Sequence, residues 1–442
     1  MKPNLIFIGD AAISSGFSRA SYHYVNGLSE SFNVIVVGVN YFGDLPLPAP
    51  WSDAQGHPKW PIKSCIAGGD GFGIGRIKEL IATLHPAVIV IQNDPWNFPP
   101  YLEACEGVPV VGIVAVDGKN CKGEGLNGLV HAIFWTEFGE EQARRGGYMG
   151  TSSIIPLGVD LDVYKVMDRE TVHAQITLTE VLSQRGLPAT SFIVGSVGRN
   201  QPRKRLDLTI EYFAEWVHGG VPVEERSEET LVIKDACLWM HIAPTGECAF
   251  DLLQLAEYYG VRRLTFIPQI EPIHGVPEAL LAKVFNLFHV GLTTTQGEGF
   301  GLTTFEMMAC GVTQIVPDWS ALGELLEDAA MKIWCTSTAV TLSQSPRHSL
   351  NVIGGIADRE LTVHALERMY RDEAFREELR TRGLTLVAQE RYRWENIGRA
   401  VNAAVGAALV ACRPAQDNSE TVNDETGGVV PRLVTPVAGV KA

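Results

Sequence analysis

Glu298 and Glu306 bracket a glycine-rich stretch, EGFGLTTFEMMACG, that follows the apolar run VGLTTT and leads into a helix-like segment. Gly299 and Gly301 let the backbone come close to a ligand. A helix opening near Leu302 offers free N–H groups and a positive dipole end, which suits an anion or hydroxyl oxygens. Two carboxylates beside free amides, with Phe300 between the glycines, suit a polyol joined to a phosphate. The plainer alternative is a pair of solvated acids. The matching positive charge lies in GSVGRNQPRKRLDL, where Arg199 and Lys204 stand five residues apart across a proline-containing turn. Two fixed cations at a strand end can clamp a diphosphate and stabilise it as a leaving group. Arg203 and Arg205 read as basic residues on the surface of that turn.

These residues need a scaffold, and the chain alternates strand and helix. Apolar runs NLIFIG, NVIVVGV, AVIVIQN, PVVGIVAV and AIFWTE recur, separated by helix-like stretches such as FSRASYHYVNGLSE and GRIKELIATLH. Continuous apolar runs imply strands covered on both faces, hence parallel sheets. The series closes near IIPLGVDLDVY and restarts with FIVGSVG, TLVIKDA, RLTFIP, VGLTTT and TQIVPD. The expected architecture is α/β, with two doubly wound, Rossmann-like domains: an N-terminal one over 1–165 and a C-terminal one over 166–390. RYRWENIGRAVNAAVGAALVA, over 391–411, reads as one long amphipathic helix, and 413–442 as a disordered tail. Open α/β sheets bind ligands beyond the carboxyl ends of their strands. The turn holding Gly16, the strand end at Val116–Gly118, the Arg199 turn and the Glu298 loop all sit at such ends, so the cleft between the domains is the expected site.

Bulk properties narrow the field. The 442 residues carry a formal net charge of −15, a surface that repels nucleic acid and anionic membranes overall. The eight cysteines are scattered with no CxxC pair, which reads as a reduced, cytoplasmic protein. Cys237, His241 and Cys248 lack the paired spacing of a zinc site and read as core. No run reaches the ~20 apolar residues of a membrane span.

The chain resembles the retaining GT-B glycosyltransferases of family 4. EGFGLTTFEMMACG resembles the family's E-x7-E signature, and VGRNQPRKRLD its G-R-x(n)-K segment. TEFGEEQARRGGYMGTSSIIPLGVD resembles the stretch closing the first domain, and RYRWENIGRAV the helix that crosses back to it. The resemblance spans about 1–412. It implies two domains facing across a cleft and transfer of a sugar from a nucleotide-diphosphate donor to an acceptor hydroxyl, with retention and without a metal or resident cofactor. Glu298 would bind donor-sugar hydroxyls, and the amides of Gly299, Phe300, Gly301 and the Leu302 helix start would meet sugar or phosphate. Glu306 would hold the ribose. Arg199 and Lys204 would take the diphosphate, Gly16 would approach the donor phosphates, and Gln269 and Ile270, with Glu271, would sit by the base. One departure is that Asp117 stands where many relatives carry a histidine. Two readings stay open for it: a group that accepts a sugar hydroxyl or orients the acceptor, and a plain Asp-Gly turn residue.

Other motifs are set aside at this level. Asp160-Leu161-Asp162 spells D-x-D but closes the first domain, so a metal role is not expected. GGDGFGIG, over 68–75, fails the dinucleotide spacing and reads as a loop. In QNDPWNFPPYL the aromatics read as core rather than as an acceptor platform. His23 and His131 read as structural. The acceptor stays open among soluble glycans or metabolites, lipid-linked sugars and, as in some viral relatives, hydroxymethylated DNA bases. A non-catalytic nucleotide-sugar binder is the alternative from another class.

Overall fold

The computed structural model describes residues 2–412, except 14, 44–46, 48, 49, 54, 66–69, 71, 244–249, 271–274 and 342–350. Cys248, Glu271, Gly68, Gly69 and Gly71 of GGDGFGIG and the tail 413–442 therefore lie outside the described residues, and the described end of that loop runs into the helix Ile74–Leu84.

Two parallel sheets carry the fold. The first holds β1 (Asn4–Asp10), β2 (Asn33–Val39), β3 (Ile62–Ser64), β4 (Val88–Asn93), β5 (Val110–Val114), β6 (His131–Phe134) and β7 (Ser152–Ile154), in the order β3-β2-β1-β4-β5-β6-β7. The second holds β8 (Phe192–Val197), β9 (Ala236–His241), β10 (Thr265–Phe266), β11 (Val290–Leu292), β12 (Thr313–Pro317) and β13 (Met331–Ile333), in the order β10-β9-β8-β11-β12-β13. Both orders reverse direction beside their first strand, which opens a crevice at the carboxyl ends there. Strands β1, β4 and β8 are buried along nearly their whole length. That explains their unbroken Val and Ile runs.

Three details depart from the sequence reading. TLVIKDA is not a strand; β9 starts at its last residue and runs ACLWMH, in register with β8 from Phe192↔Ala236 to Val197↔His241. The amides of Val232 and Ile233 bond instead to the carbonyl of Val217, so this run closes the end of the preceding helix with Leu231 and Ile233 buried. The terminal helix is broken: a 3-10 turn, Glu390–Tyr392, precedes Trp394–Ala411, with Arg393 extended between them. An antiparallel hairpin, β14 (Cys335–Val340) and β15 (Ile353–Ala357), stands apart from both sheets.

The helix Trp394–Ala411 packs on the helix Gly16–Leu28 of the first sheet. The ring of Trp394 stacks on His23 at 4.3 Å with the planes 2° apart. A Cβ on Gly27 would overlap the backbone of Gly398, so small residues set the helix spacing. His131 bonds to the hydroxyls of Thr151 and Ser153. Both histidines serve the scaffold, as their sequence setting implied.

Candidate active site

The two basic residues of the Arg199 turn that matter most point inward because the turn is strained and pinned. After β8 the chain makes a 3-10 turn, Pro202–Lys204, and Arg205 then adopts a left-handed φ of 48° before the helix Leu206–His218. Such a conformation is costly for a residue with a Cβ and persists where surroundings enforce it. Here the amide of Gln296 donates to the carbonyl of Arg203 at 2.8 Å, and the Thr294 hydroxyl to the carbonyl of Arg205 at 2.7 Å. The loop after β11 thus fixes the turn that follows β8.

Lys204 and Arg203 then converge on Glu298. Lys204 Nζ lies 2.5 Å from Glu298 Oε1, and Arg203 Nη1 3.1 Å from Oε2. Burial opposes ionisation of Glu298, but Lys204 and Arg203 outweigh it and hold its carboxyl down to about 2. The backbone is pinned too, since Ser320, itself at a φ of 50°, accepts from the amide of Glu298 at 3.0 Å. Arg203 is therefore no surface residue. Its Nε also lies 3.0 Å from Oδ2 of Asp117, at the end of β5 in the opposite lobe. Arg205 is half-buried to the same degree but turns away from Glu298 and pairs with Asp207 at 2.8 Å.

Arg199 is more exposed and faces the charge of Asp10 at the end of β1, which counters the burial that lowers its pKa. Asp10 is held by Ser15 at 2.8 Å and Asn40 at 2.9 Å. Ser15 also caps the helix that Gly16 begins. Asp94, just past β4, has no side-chain partner among the described residues. Burial, then the nearby Asp117, push it up to about 8. Asp117 is likewise raised, first by burial and against the pull of Arg203. Three carboxylates from the first lobe therefore face arginines of the second.

The glycine loop meets protein as well as solvent. A Cβ on Gly299 would come within 3.0 Å of the Trp135 ring, and one on Gly297 would overlap the carbonyl oxygen of Asp117. Gly301, at a φ of 100°, is the left-handed residue that starts the helix Leu302–Ala309. Phe300 is buried against Phe305 and Tyr392, so only its backbone is offered to the cleft. Leu302 lies under Gly16. Glu306 is 3% exposed and receives Arg19 from the opposite lobe. Gln269 is exposed and Ile270 half-buried just after β10.

Beside Asp117 a small recess of about 70 Å³ is lined by Pro95, Trp96, Val116, Cys121 and, from the hairpin, Asn351 and Val352. Phe98 and Tyr101 are core, as read from sequence, but Trp96 is half-buried and lines this recess. The hairpin straps the lobes together here. Lys119 and Ile353 exchange backbone hydrogen bonds of 2.9 Å each, and Asn120 donates to the carbonyl of Asn351 at 2.8 Å. Asp160 of the D-x-D is spent on the amides of Asp162 and Val163.

The sequence reading missed Arg203, Asp10 and Arg19, and set aside the segment that holds Asp94. A strand-end position was the available signal for Asp10 and Asp94. Nothing in the spacing of RKR distinguished Arg203, which meets Glu298, from Arg205, which meets Asp207, because the left-handed conformation of Arg205 decides it.

Residues 179–343 match the family model for Glycosyl transferases group 1. No curated protein matches the chain by sequence. Similar solved structures include a sucrose-phosphate synthase from Thermosynechococcus elongatus, at 14% identity and a TM-score of 0.68 over 93% of this chain and 100% of that one. HepE of Anabaena in complex with UDP-glucose gives 13% identity and a TM-score of 0.65 over 92% and 100%. An α,α-trehalose-phosphate synthase (UDP-forming) from Burkholderia vietnamiensis gives 12% identity and a TM-score of 0.63 over 94% and 99%. The fold is that of the GT-B proteins, two Rossmann-like parallel sheets, and the chain carries a group 1 glycosyltransferase domain, which supports glycosyltransferase activity. Among the described residues no helix is long and apolar enough to cross a membrane.

Proposed function

We propose that the protein moves a sugar from a nucleoside-diphosphate sugar to an acceptor hydroxyl, with retention and without a metal. UDP is the favoured nucleotide because UDP or a UDP-sugar is named for several of the similar structures. The observation that carries this reading is the buried convergence of Lys204 and Arg203 on Glu298 at the strand ends of the second lobe, facing Asp117.

In the proposed step the acceptor oxygen bonds to the anomeric carbon as the bond from that carbon to the diphosphate oxygen breaks. The bonding electrons leave with the diphosphate, and the acceptor proton passes to a departing phosphate oxygen. Lys204, Arg199 and Arg203 stabilise the growing negative charge, and Glu298 positions sugar hydroxyls. Each group acts in a cleft that limits water, where one fixed cation contributes about 10²–10³ in rate. Asp117, held by Arg203, orients the acceptor arriving from the recess beside Trp96.

The basic turn lends the DNA-directed alternative little support, because Arg203 and Lys204 meet Glu298 and Arg205 is paired with Asp207. A binder without catalysis would hold a donor but not hydrolyse it.

The test is a thermal-shift panel of UDP-, GDP- and ADP-sugars, followed by hydrolysis of the best stabiliser. Slow hydrolysis that drops at least a hundredfold in Lys204→Ala supports the reading. No stabilisation by any donor, or hydrolysis indifferent to Lys204, sinks it.

A further inference from the structure

Glu306 sits at the junction of the two lobes with its two oxygens in different situations. Oε1 accepts from the Arg19 guanidinium, which reaches across from the helix Gly16–Leu28. Oε2 is buried and has no hydrogen-bond partner among the described residues. Buried polar atoms are nearly always paired, so a lone one is a place where a ligand group fits. A carboxylate oxygen calls for a hydrogen-bond donor, and the cleft just outside is where a donor nucleotide is proposed to lie.

Arg19 is itself held from two further directions. It donates to the Tyr164 hydroxyl at 2.8 Å, and its Nη1 lies 3.5 Å from Oε1 of Glu278 on the helix Glu278–Phe285. The guanidinium thus fixes the rotation of the Glu306 carboxylate while the other oxygen stays buried and unpaired among the described residues. This arrangement exists only while the lobes are together, because Arg19 and Glu306 belong to opposite ones.

We infer that Arg19 is a positioning residue for the donor: it holds one oxygen of Glu306 so that the other is presented to a hydroxyl of the nucleoside ribose, and so makes recognition of that hydroxyl depend on closure of the lobes. The inference rests on the proposed use of a nucleoside-diphosphate donor. It assigns a role to a residue of the first lobe in reading a part of the donor bound by the second. The coupling runs both ways, since a ribose hydroxyl that satisfies Oε2 favours the closed pairing.

The charges around Glu306 give a second signature. Burial raises its carboxyl to about 7, against the pull of Arg19 and with a push from Glu278; Tyr164 and Cys310 are its other titratable neighbours. The ribose hydroxyl is best accepted by the ionised form. Recognition of that hydroxyl therefore strengthens as pH rises through about 7, and loss of Arg19 moves this rise to higher pH.

The experiment measures binding of UDP, 2′-deoxy-UDP and 3′-deoxy-UDP to the full chain by calorimetry, with GDP and ADP and their deoxy forms in parallel. Wild type is expected to favour a ribonucleotide over one deoxy form by about tenfold or more, because a site built for a hydroxyl rejects its absence. In Arg19→Ala the ribonucleotide weakens by about tenfold and the preference falls toward one, since an unfixed and more readily protonated carboxyl reads the hydroxyl poorly. Arg19→Lys, which keeps the charge but not the planar fork, falls between. Should Arg19→Ala not fold, Arg19→Lys and Tyr164→Phe carry the test, the latter with a smaller loss in the same direction. Tighter ribonucleotide binding in Arg19→Ala overturns the inference, because Arg19 then blocks the oxygen's approach rather than presenting it. An unchanged ribose preference in folded variants also overturns it and leaves Arg19 a structural tie. Wild type that binds none of the nucleotides removes the donor reading itself, and the inference with it.

Discussion

Arg203 Nε lies 3.0 Å from Oδ2 of Asp117, joining the turn after β8 to the end of β5 across the cleft. The same guanidinium bonds Glu298 at 3.1 Å. One arginine therefore links a carboxylate of each lobe. Removing any member leaves charge uncompensated in a half-buried place, which costs more than the pair is worth.

This triangle makes the first prediction. Arg203→Ala and Asp117→Asn should each lower donor turnover, Arg203→Ala by about 10²-fold or more if its charge helps the leaving group. The double variant should lose less than the product of the two. A coupling energy of about 1 kcal/mol or more in a double-mutant cycle is expected for groups in direct contact. Additive losses would show that the two act separately.

Asp94 sets up a pH dependence of stability. Its carboxyl is raised in the folded protein to about 8, chiefly by burial. A raised acid stabilises the fold at low pH, and that contribution is lost as pH climbs from the unfolded value near ~4 through the folded one. Asp94→Asn stays neutral throughout. Its melting temperature should match wild type near pH 4 and exceed it by roughly 2–4 °C per kcal/mol gained above pH 8. Parallel melting curves at both pH values would contradict the assignment.

Gly297→Ala should act on closure rather than folding. Its added Cβ would overlap the carbonyl oxygen of Asp117 on the other lobe, and neither backbone has a flexible side chain to give way. Helix content by circular dichroism should stay near wild type. Donor turnover should fall at least tenfold, and small-angle scattering should show a larger radius of gyration. A fully active variant would mean that the lobes need not touch there.

The hairpin strap predicts a hydrogen-exchange pattern. The amides of Lys119 and Ile353 donate to each other's carbonyls across the lobes, and Lys119 Nζ sits 4.3 Å above the Trp319 ring. Adding UDP-sugar should slow exchange of these two amides, while those inside β1 and β8 stay unchanged. If ligand leaves Lys119 and Ile353 as they were, the strap is independent of donor binding.

The comparison of sequence with structure turns on particular residues. Unbroken apolar runs made β1, β4 and β8 legible because parallel strands buried on both faces tolerate little else. Glu298, Lys204 and Gly301 were legible because their roles follow from local chain geometry: a strand end, a tight turn, a left-handed helix start. TLVIKDA misled because it is apolar enough for a strand, but register with β8 assigns that place to ACLWMH. Trp96 and Phe98 are two residues apart in one polar-aromatic segment, yet one lines a recess and the other is core.

By itself the sequence determined the two-sheet architecture and the strand ends at which Lys204 and Glu298 lie, because strand patterning and turn chemistry are local properties. Which charges meet across the cleft was decided only by the tertiary structure. The pairings Arg203–Asp117 and Arg19–Glu306 join residues far apart in the chain, brought together by the terminal helix, the hairpin and the glycine contacts that set how the lobes dock. Long-range Coulomb partners depend on that docking geometry, which no local pattern encodes.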